Sequence, residues 1–218
     1  MGQTGYNNKG VTVFGSDISR YSLEIIVRHA WTFVREYLRA PRTIGAVAPS
    51  SRRLAELIVD LAGVAGAEAI VEFGPGTGAF TQRILEVKRP GAKLVAVEFH
   101  PKMAEQLRRR FPQVDVAEDS VANLGRILAE RGIKQVDSIV SGLPWAAFDP
   151  GLRDQLLEAT LVALKPGGRF ATFAYLEGSI LPSGRRFRRK IQRLFTEVHR
   201  SPIVWANMPP AFVYQCVR

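Results

Sequence analysis

From Ser22 to Leu38 the apolar positions Leu23, Ile26, Val27, Ala30, Trp31, Val34 and Leu38 fall on one stripe, with Glu24, Arg28, Thr32 and Arg35 opposite. This is the spacing of an amphipathic helix. Residues 1–17 before it are polar and glycine-rich, the composition of a mobile tail, and "APRTIGAVAPSS" after it reads as a connector marked by two prolines. Ser50 or Ser51 is placed to cap a helix over Arg52–Leu61. Beyond that point short apolar runs alternate with helical spacing. Strands are expected over Ala69–Phe73, Leu94–Glu98, Val114–Ala117, Val136–Ser141 and Arg169–Tyr175. Helices are expected over Phe80–Lys88, Pro101–Phe111, Val121–Arg131 and Pro150–Leu164. Such alternation predicts an α/β fold with a parallel, doubly wound sheet. Two last apolar stretches, near Ile203 and over Phe212–Val217, are joined by "ANMPP". That join is too short for a helical crossover, so the two should pair antiparallel as a hairpin.

The expected architecture is therefore Rossmann-like: a mostly parallel sheet, a C-terminal antiparallel hairpin and an N-terminal amphipathic helix. Residues 1–42 form the tail and helix, and residues 43–218 a single domain. A chain of 218 residues with 46% hydrophobic and 23% charged residues suits one domain with a full core. The formal net charge of +10 changes the picture more. It favours an anionic partner, either nucleic acid or an acidic membrane surface. Cys216 is the single cysteine, so an internal disulfide is excluded and a reducing compartment is expected. His29, His100 and His199 lack the close spacing of a structural zinc site, and no metal is expected. The N-terminus lacks the basic start and apolar run of a secretory signal. No run of about 18 apolar residues is present to span a bilayer, so lipid would be met from the side.

The candidate chemistry lies in "AIVEFGPGTGAF", residues 69–80, where a strand ending in Glu72 and Phe73 meets Gly74, Pro75, Gly76, Thr77 and Gly78. Glycine lets backbone approach a ligand closely, and the carboxyl end of a first strand is where such sheets bind ligands. Read literally, Gly74-x-Gly76-x-x-Ala79 also satisfies the dinucleotide fingerprint. A pyrophosphate favours a helix N-terminus free of carboxylates. Glu72, two residues before the first glycine, instead suits a positive ligand group. Glu98, at the end of the next strand, is placed to accept both hydroxyls of a ribose.

Taken in order, "VEFGPGTGAFT", "LVAVEFHP", "AEDS" and "IVSGLPW" resemble the motifs of class I S-adenosylmethionine-dependent methyltransferases, over about residues 69–175. The resemblance implies S-adenosylmethionine as cofactor, with Glu72 to Gly78 lining its methionine end. Glu98 would hold the ribose, Asp119 and Ser120 would flank the adenine, and Phe99 and Ser141 would adjoin the cofactor. Two families share this combination: the ribosomal RNA adenine dimethylases and the small bacterial phospholipid N-methyltransferases. The adenine enzymes carry asparagine where this chain has Gly142 in Ser141-Gly142-Leu143-Pro144. Glycine cannot orient an exocyclic amine, whereas a lipid alkylamine needs only to lose a proton. "RTIGAVAPSSRRLAELI" and "SGLP" also resemble the phosphatidylethanolamine N-methyltransferases, and a helical RNA domain like that of the adenine enzymes is not expected after the core sheet. "WAAF" after "SGLP" departs from the pattern and bears on the acceptor pocket.

The activity implied is methyl transfer to the headgroup amine of phosphatidylethanolamine or a similar aminolipid, with nucleic acid the lesser alternative. Backbone carbonyls around Ser141, Gly142, Leu143 and Pro144 would hold the amine hydrogens, and the Tyr175 hydroxyl is a candidate to orient the amine. The expected location is cytoplasmic, on the inner face of the cell membrane. Docking would use the Ser22–Leu38 helix and the run "SGRRFRRKIQR". In that run Arg185, Arg186, Arg188, Arg189, Lys190 and Arg193 surround Phe187 and Ile191, a composition suited to lipid phosphates.

Overall fold

The computed structural model describes residues 50–218. The tail, the helix expected over Ser22–Leu38 and the boundary at residue 42 lie outside the described residues. Helix α1, Arg52–Leu61, opens the described chain, and the Ser51 side chain caps it by accepting from Leu54 N at 3.2 Å. It buries Leu54, Ala55, Ile58 and Val59.

Seven strands form one sheet: β1 (Ala69–Phe73), β2 (Lys93–Glu98), β3 (Asp115–Glu118), β4 (Val136–Ser141), β5 (Leu164–Tyr175), β6 (Glu197–Arg200) and β7 (Ala211–Val217), in the order β3-β2-β1-β4-β5-β7-β6. The first five run parallel, while β7 pairs antiparallel with both β5 and β6. Helices α2 (Ala79–Val87), α3 (Pro101–Arg110), α4 (Leu124–Ala129) and α5 (Pro150–Ala163) supply the crossovers. β1 is buried along its whole length because both of its faces are covered.

The period-2 alternation divides the core in two. Val71, Phe73, Val95, Val97, Ile139 and Phe170 face α4 and α5. Ile70, Leu94, Ala96, Val140 and Ala171 face α1, α2 and the end of α3. On β7 the same alternation puts Phe212 and Tyr214 on the first side and Ala211 and Val213 on the second.

Two expectations are corrected. The hairpin forms, but its first strand is Glu197–Arg200, and the stretch near Ile203 contributes only a single bridge between Val204 and Ala211. Pro202 cannot donate to a ladder, so regular pairing ends before it. The segment expected as a helix from Val121 to Arg131 begins as a 3-10 turn over Val121–Asn123, because the Ser120 hydroxyl accepts from Ala122 N at 3.2 Å. The charge run is a helix, α7 (Pro182–Leu194), reached through the short α6 (Leu176–Ile180). Its apolar pair is not offered to lipid. Phe187 and Ile191, four residues apart and so on one face, are 3% and 0% exposed. Phe187 stacks on Trp145 at 5.8 Å. Lys190 pairs with Asp154 at 2.9 Å, and the five arginines stay exposed.

Replacing Phe187 by alanine should therefore cost about 3–5 kcal/mol of stability. Arg186→Ala should change it by no more than about 0.5 kcal/mol. Urea unfolding of both variants checks the contrast; equal effects would mean that the helix does not seat in the core.

Candidate active site

Strand β1 has β2 on one side and β4 on the other, so the chain leaving it enters the crevice where the strand order reverses. Gly74, Gly76 and Gly78 all take positive φ there, of 60°, 55° and 83°. Gly74 N donates to Val97 O at 2.9 Å, which ties the loop to β2. At Gly78 the requirement is also steric: a Cβ would stand 2.5 Å from the Phe111 ring. Thr77 O accepts from the Arg110 side chain at 2.7 Å, so the far side of the loop is held by α3.

Glu72 is fully buried on the α2 side of β1. Its Oε2 accepts from Thr81 Oγ1 at 2.7 Å, and its Oε1 has no partner. Burial pushes its pKa up to about 8, with the Glu98 charge adding to the effect. Glu98 is also buried, which raises its pKa, while backbone amides oppose the rise. His100 N donates to Oε1 at 2.9 Å, and Gly76 N makes a long contact to Oε2 at 3.4 Å. The carboxylate thus lies under the glycine loop rather than at an open strand tip.

Asp119 accepts from Ser120 N at 2.7 Å and from Asn123 Nδ2 at 2.8 Å, and it pairs with Arg126. Phe99, Asp119 and Ser120 line one hollow together with Val97, Leu143 and Phe148. Phe99 and the residues expected at the adenine thus come together, and Leu143 brings the fourth motif to the same wall. A surface depression of about 740 Å³ lies at the opposite, amino end of the strands and includes Glu68, Lys93 and Lys134.

The fourth motif crosses directly over the glycine loop. Gly142 N donates to Phe73 O at 2.8 Å, and a Cβ on Gly142 would stand 2.6 Å from Gly74 O. Backbone fills the space that a side chain at this position would need. Ser141, expected to face ligand, instead directs its hydroxyl inward. Its Oγ accepts from Trp145 Nε1 at 2.9 Å and from Leu143 N at 3.3 Å. Trp145 is only 2% exposed, stacked on Phe187 and met edge-on by Phe148 and Phe170. In "WAAF" Trp145 therefore fills the core, while Phe148 also lines the hollow. Tyr175 ends β5, half-buried, with its ring edge-on to Phe173 at 5.3 Å. Two supporting residues were missed in the sequence: Thr81, which holds Glu72, and Met103, whose methyl lies 3.8 Å from where a Gly76 Cβ would be. Thr81 sits one helical turn beyond Gly78, a spacing that lets it turn back on the strand end.

A buried carboxylate oxygen without a partner, beside bare backbone, suits a ligand with a cationic group. A second buried carboxylate, met by backbone amides at the end of the neighbouring strand, suits a ligand with hydroxyl donors. The residues present fit S-adenosylmethionine on both counts.

Residues 71–170 match the family described as a methyltransferase domain. The ornithine lipid N-methyltransferase of Singulisphaera acidiphila is 32% identical, over 84% of this chain and 93% of its own length. The dimethyladenosine transferase of Kluyveromyces lactis is 36% identical, but over 44% of this chain and 29% of its own. Among solved structures, an O-methyltransferase from Bacillus cereus in complex with SAH has a TM-score of 0.62 at 16% identity, covering 94% of this chain and 93% of that one. At that identity the likeness is one of fold.

Three expected outcomes follow from the geometry. Between the ordinary carboxylate pKa of 4.5 and about 8, the folded protein without ligand binds a proton at Glu72 that the unfolded chain has lost. This stabilisation is complete below the lower value and lost as pH rises through the upper one. Glu72→Gln should flatten the fall in Tm between pH 5 and 8. Wild-type protein should also release up to about one proton on binding S-adenosylmethionine at pH 7, read by calorimetry in two buffers. Gly142→Ala forces the two loops apart and should destabilise by about 1–3 kcal/mol while weakening cofactor binding. Unfolding curves and calorimetry on that variant test the contact, and unchanged values would mean the loops are not packed as described.

Proposed function

We propose, from the premise that this chain belongs to the class I S-adenosylmethionine-dependent methyltransferases, that it methylates the headgroup amine of an aminolipid at a membrane surface. S-adenosylmethionine is the cofactor, and when bound it supplies an electrophilic methyl carbon on a sulfonium. Glu72 and the loop from Gly74 to Gly78 hold its cationic end, Glu98 and Phe99 serve the ribose, and Asp119 and Ser120 flank the adenine. Ser141 acts in this reading through its hydrogen bonds to Trp145 and Leu143, which fix the loop that follows.

The observation that carries the choice of acceptor is the surface of that loop. A nucleobase drawn out for chemistry is read by hydrogen bonds to its edge and by stacking on aromatic faces. At Gly142 the space for a side chain is taken by Gly74 O, and Trp145 is enclosed in the core. An alkylamine needs neither device. Its solution pKa is about 10, so it must shed a proton first, and an apolar site beside a cation favours that loss. Among the four candidate carbonyls, that of Ser141 accepts from Thr172 Oγ1 at 3.3 Å, that of Leu143 from Trp145 N at 3.0 Å and that of Pro144 from Ala147 N at 2.8 Å. The Gly142 carbonyl has no such donor among the described residues and is assigned to the amine hydrogen. Tyr175, the candidate to orient the amine, ends the strand next to β4, three residues beyond the Thr172–Ser141 pair. Alignment of amine and methyl group, rather than proton transfer by a dedicated base, supplies the acceleration.

The nearly full-length relative that acts on ornithine lipid supports a lipid amine as the acceptor class. Phosphatidylethanolamine is the headgroup we assign, with the cytoplasmic leaflet as the site of action and the exposed arginines of α7 as the charge that favours an acidic surface.

The test is incubation with methyl-labelled S-adenosylmethionine and, in separate reactions, vesicles containing phosphatidylethanolamine, vesicles containing ornithine lipid, and unmodified small-subunit ribosomal RNA. Label is expected in the phosphatidylethanolamine. Label in ornithine lipid alone would correct the headgroup, and label in RNA alone would overturn the reading.

A further inference from the structure

Among the described residues five large apolar side chains are more than half exposed: Val162, Ile180, Leu181, Trp205 and Met208, at 63%, 64%, 53%, 69% and 67%. Their placement is uneven. Val162 lies at the amino end of the parallel strands, where its carbonyl accepts from the side chain of Gln135, just before β4. The other four lie at the carboxyl edge. Ile180 and Leu181 follow the end of β5 through α6, and Trp205 and Met208 sit in the connection that leads into β7. β5 and β7 pair Tyr175 with Ala211, and Leu176 N donates to Pro210 O at 2.9 Å, so the two connections leave the sheet side by side. Thr172 of β5 pairs with Ser141 of β4 in register. The four side chains therefore project from the edge that carries the fourth motif.

A polar tether holds the second connection in place. Asn207 is 3% exposed, donates to Pro209 O at 2.7 Å and accepts from Ser51 N at 2.9 Å. Trp205 and Met208 flank this buried anchor and point away from it into solvent. Helix α7 starts directly after Leu181, so Arg185 and Arg186, in its first two turns, border Ile180 and Leu181. An exposed tryptophan and methionine, with a leucine and an isoleucine beside them and arginines on the flank, have the composition of a surface that enters the headgroup region of an acidic bilayer.

We propose that Ile180, Leu181, Trp205 and Met208 form a wedge that inserts into an anionic lipid surface while the arginines of α7 lie against its phosphates. The wedge turns the carboxyl edge of the sheet toward the bilayer, so that a headgroup amine reaches the fourth motif without the lipid leaving the membrane. The choice of a lipid partner rests on the aminolipid reading above. It adds an orientation and four side chains that the activity alone does not require, because a lipid dispersed as monomers needs no wedge.

The test uses the full chain with Trp31→Phe, so that Trp205 is the reporting indole and the buried Trp145 the internal reference. The probe is vesicles of phosphatidylglycerol and phosphatidylethanolamine with brominated acyl chains. Bromine is expected to quench Trp205 emission, and vesicles of phosphatidylcholine alone are expected to quench it much less. Trp205→Ser with Met208→Ser should weaken partitioning to the anionic vesicles about tenfold or more, while Trp205→Phe should retain most of it. Cofactor affinity by calorimetry should match the parent in both, which shows the fold intact. Methylation of a monomeric short-chain aminolipid should also stay within about twofold of the parent, whereas methylation of vesicles falls with partitioning. Unquenched emission, or a double variant that partitions like the parent, overturns the wedge. So does a Trp205 signal that responds to ribosomal RNA instead of vesicles. If the parent methylates neither vesicles nor the short-chain lipid, the aminolipid reading fails, and the quenching result still decides the wedge independently.

Discussion

Two loops cross backbone against backbone at the carboxyl end of β1 and β4, and the site depends on that contact. Gly142 N donates to Phe73 O, and the path of the fourth motif passes so close to Gly74 that no side chain fits between them. Parallel strands leave their carboxyl ends at one edge, and the reversal of strand order between β1 and β4 opens a crevice there. Bare backbone on both walls lets the crevice narrow to ligand size. The same closeness sets the chemistry of the wall: where a polar side chain would stand, this chain presents a carbonyl.

The second feature of the site is charge kept from water. Glu72 is fully buried with one oxygen satisfied by Thr81 and one unpaired, an arrangement that disfavours the ionised form in the absence of a cation. Glu98 lies a few residues along the neighbouring strand, and its negative charge adds to the burden on Glu72. A cationic ligand relieves both, so affinity for the donor and ionisation of Glu72 are linked. A protein with this site is most stable either at acid pH with Glu72 neutral or at neutral pH with the donor bound.

Helix α7 shows how one segment serves core and surface together. Its spacing sends Phe187 and Ile191 inward to Trp145 and Tyr214, while its arginines line the outside. Trp145 in turn holds Ser141, so the packing of the basic helix reaches the start of the fourth motif. The exposed arginines and the fourth motif are in this way tied to one packed cluster.

The alternation of apolar runs with helical spacing was enough to read the parallel sheet, its five parallel strands and the capped α1. Both follow from local rules: a doubly covered strand must be apolar throughout, and a serine before a helical stripe satisfies its first amides. Glu72, the glycine loop and Glu98 were legible because their spacing along the chain matches the ends of successive strands. The direction of side chains in the fourth motif was not. Ser141 was read as a ligand contact and "WAAF" as bearing on the acceptor pocket, and only the arrival of Phe148, Phe170 and Phe187 around the indole turned Trp145 and the Ser141 hydroxyl toward the core. The charge run hid a helix because its apolar residues are few and their partners lie far off in the sequence. Likewise, no local pattern in "ANMPP" says that its connection leaves the sheet next to the one that follows Tyr175. Composition and period fix which residues can be buried, but the neighbours that bury them are chosen by strand order, and strand order is a property of the folded chain.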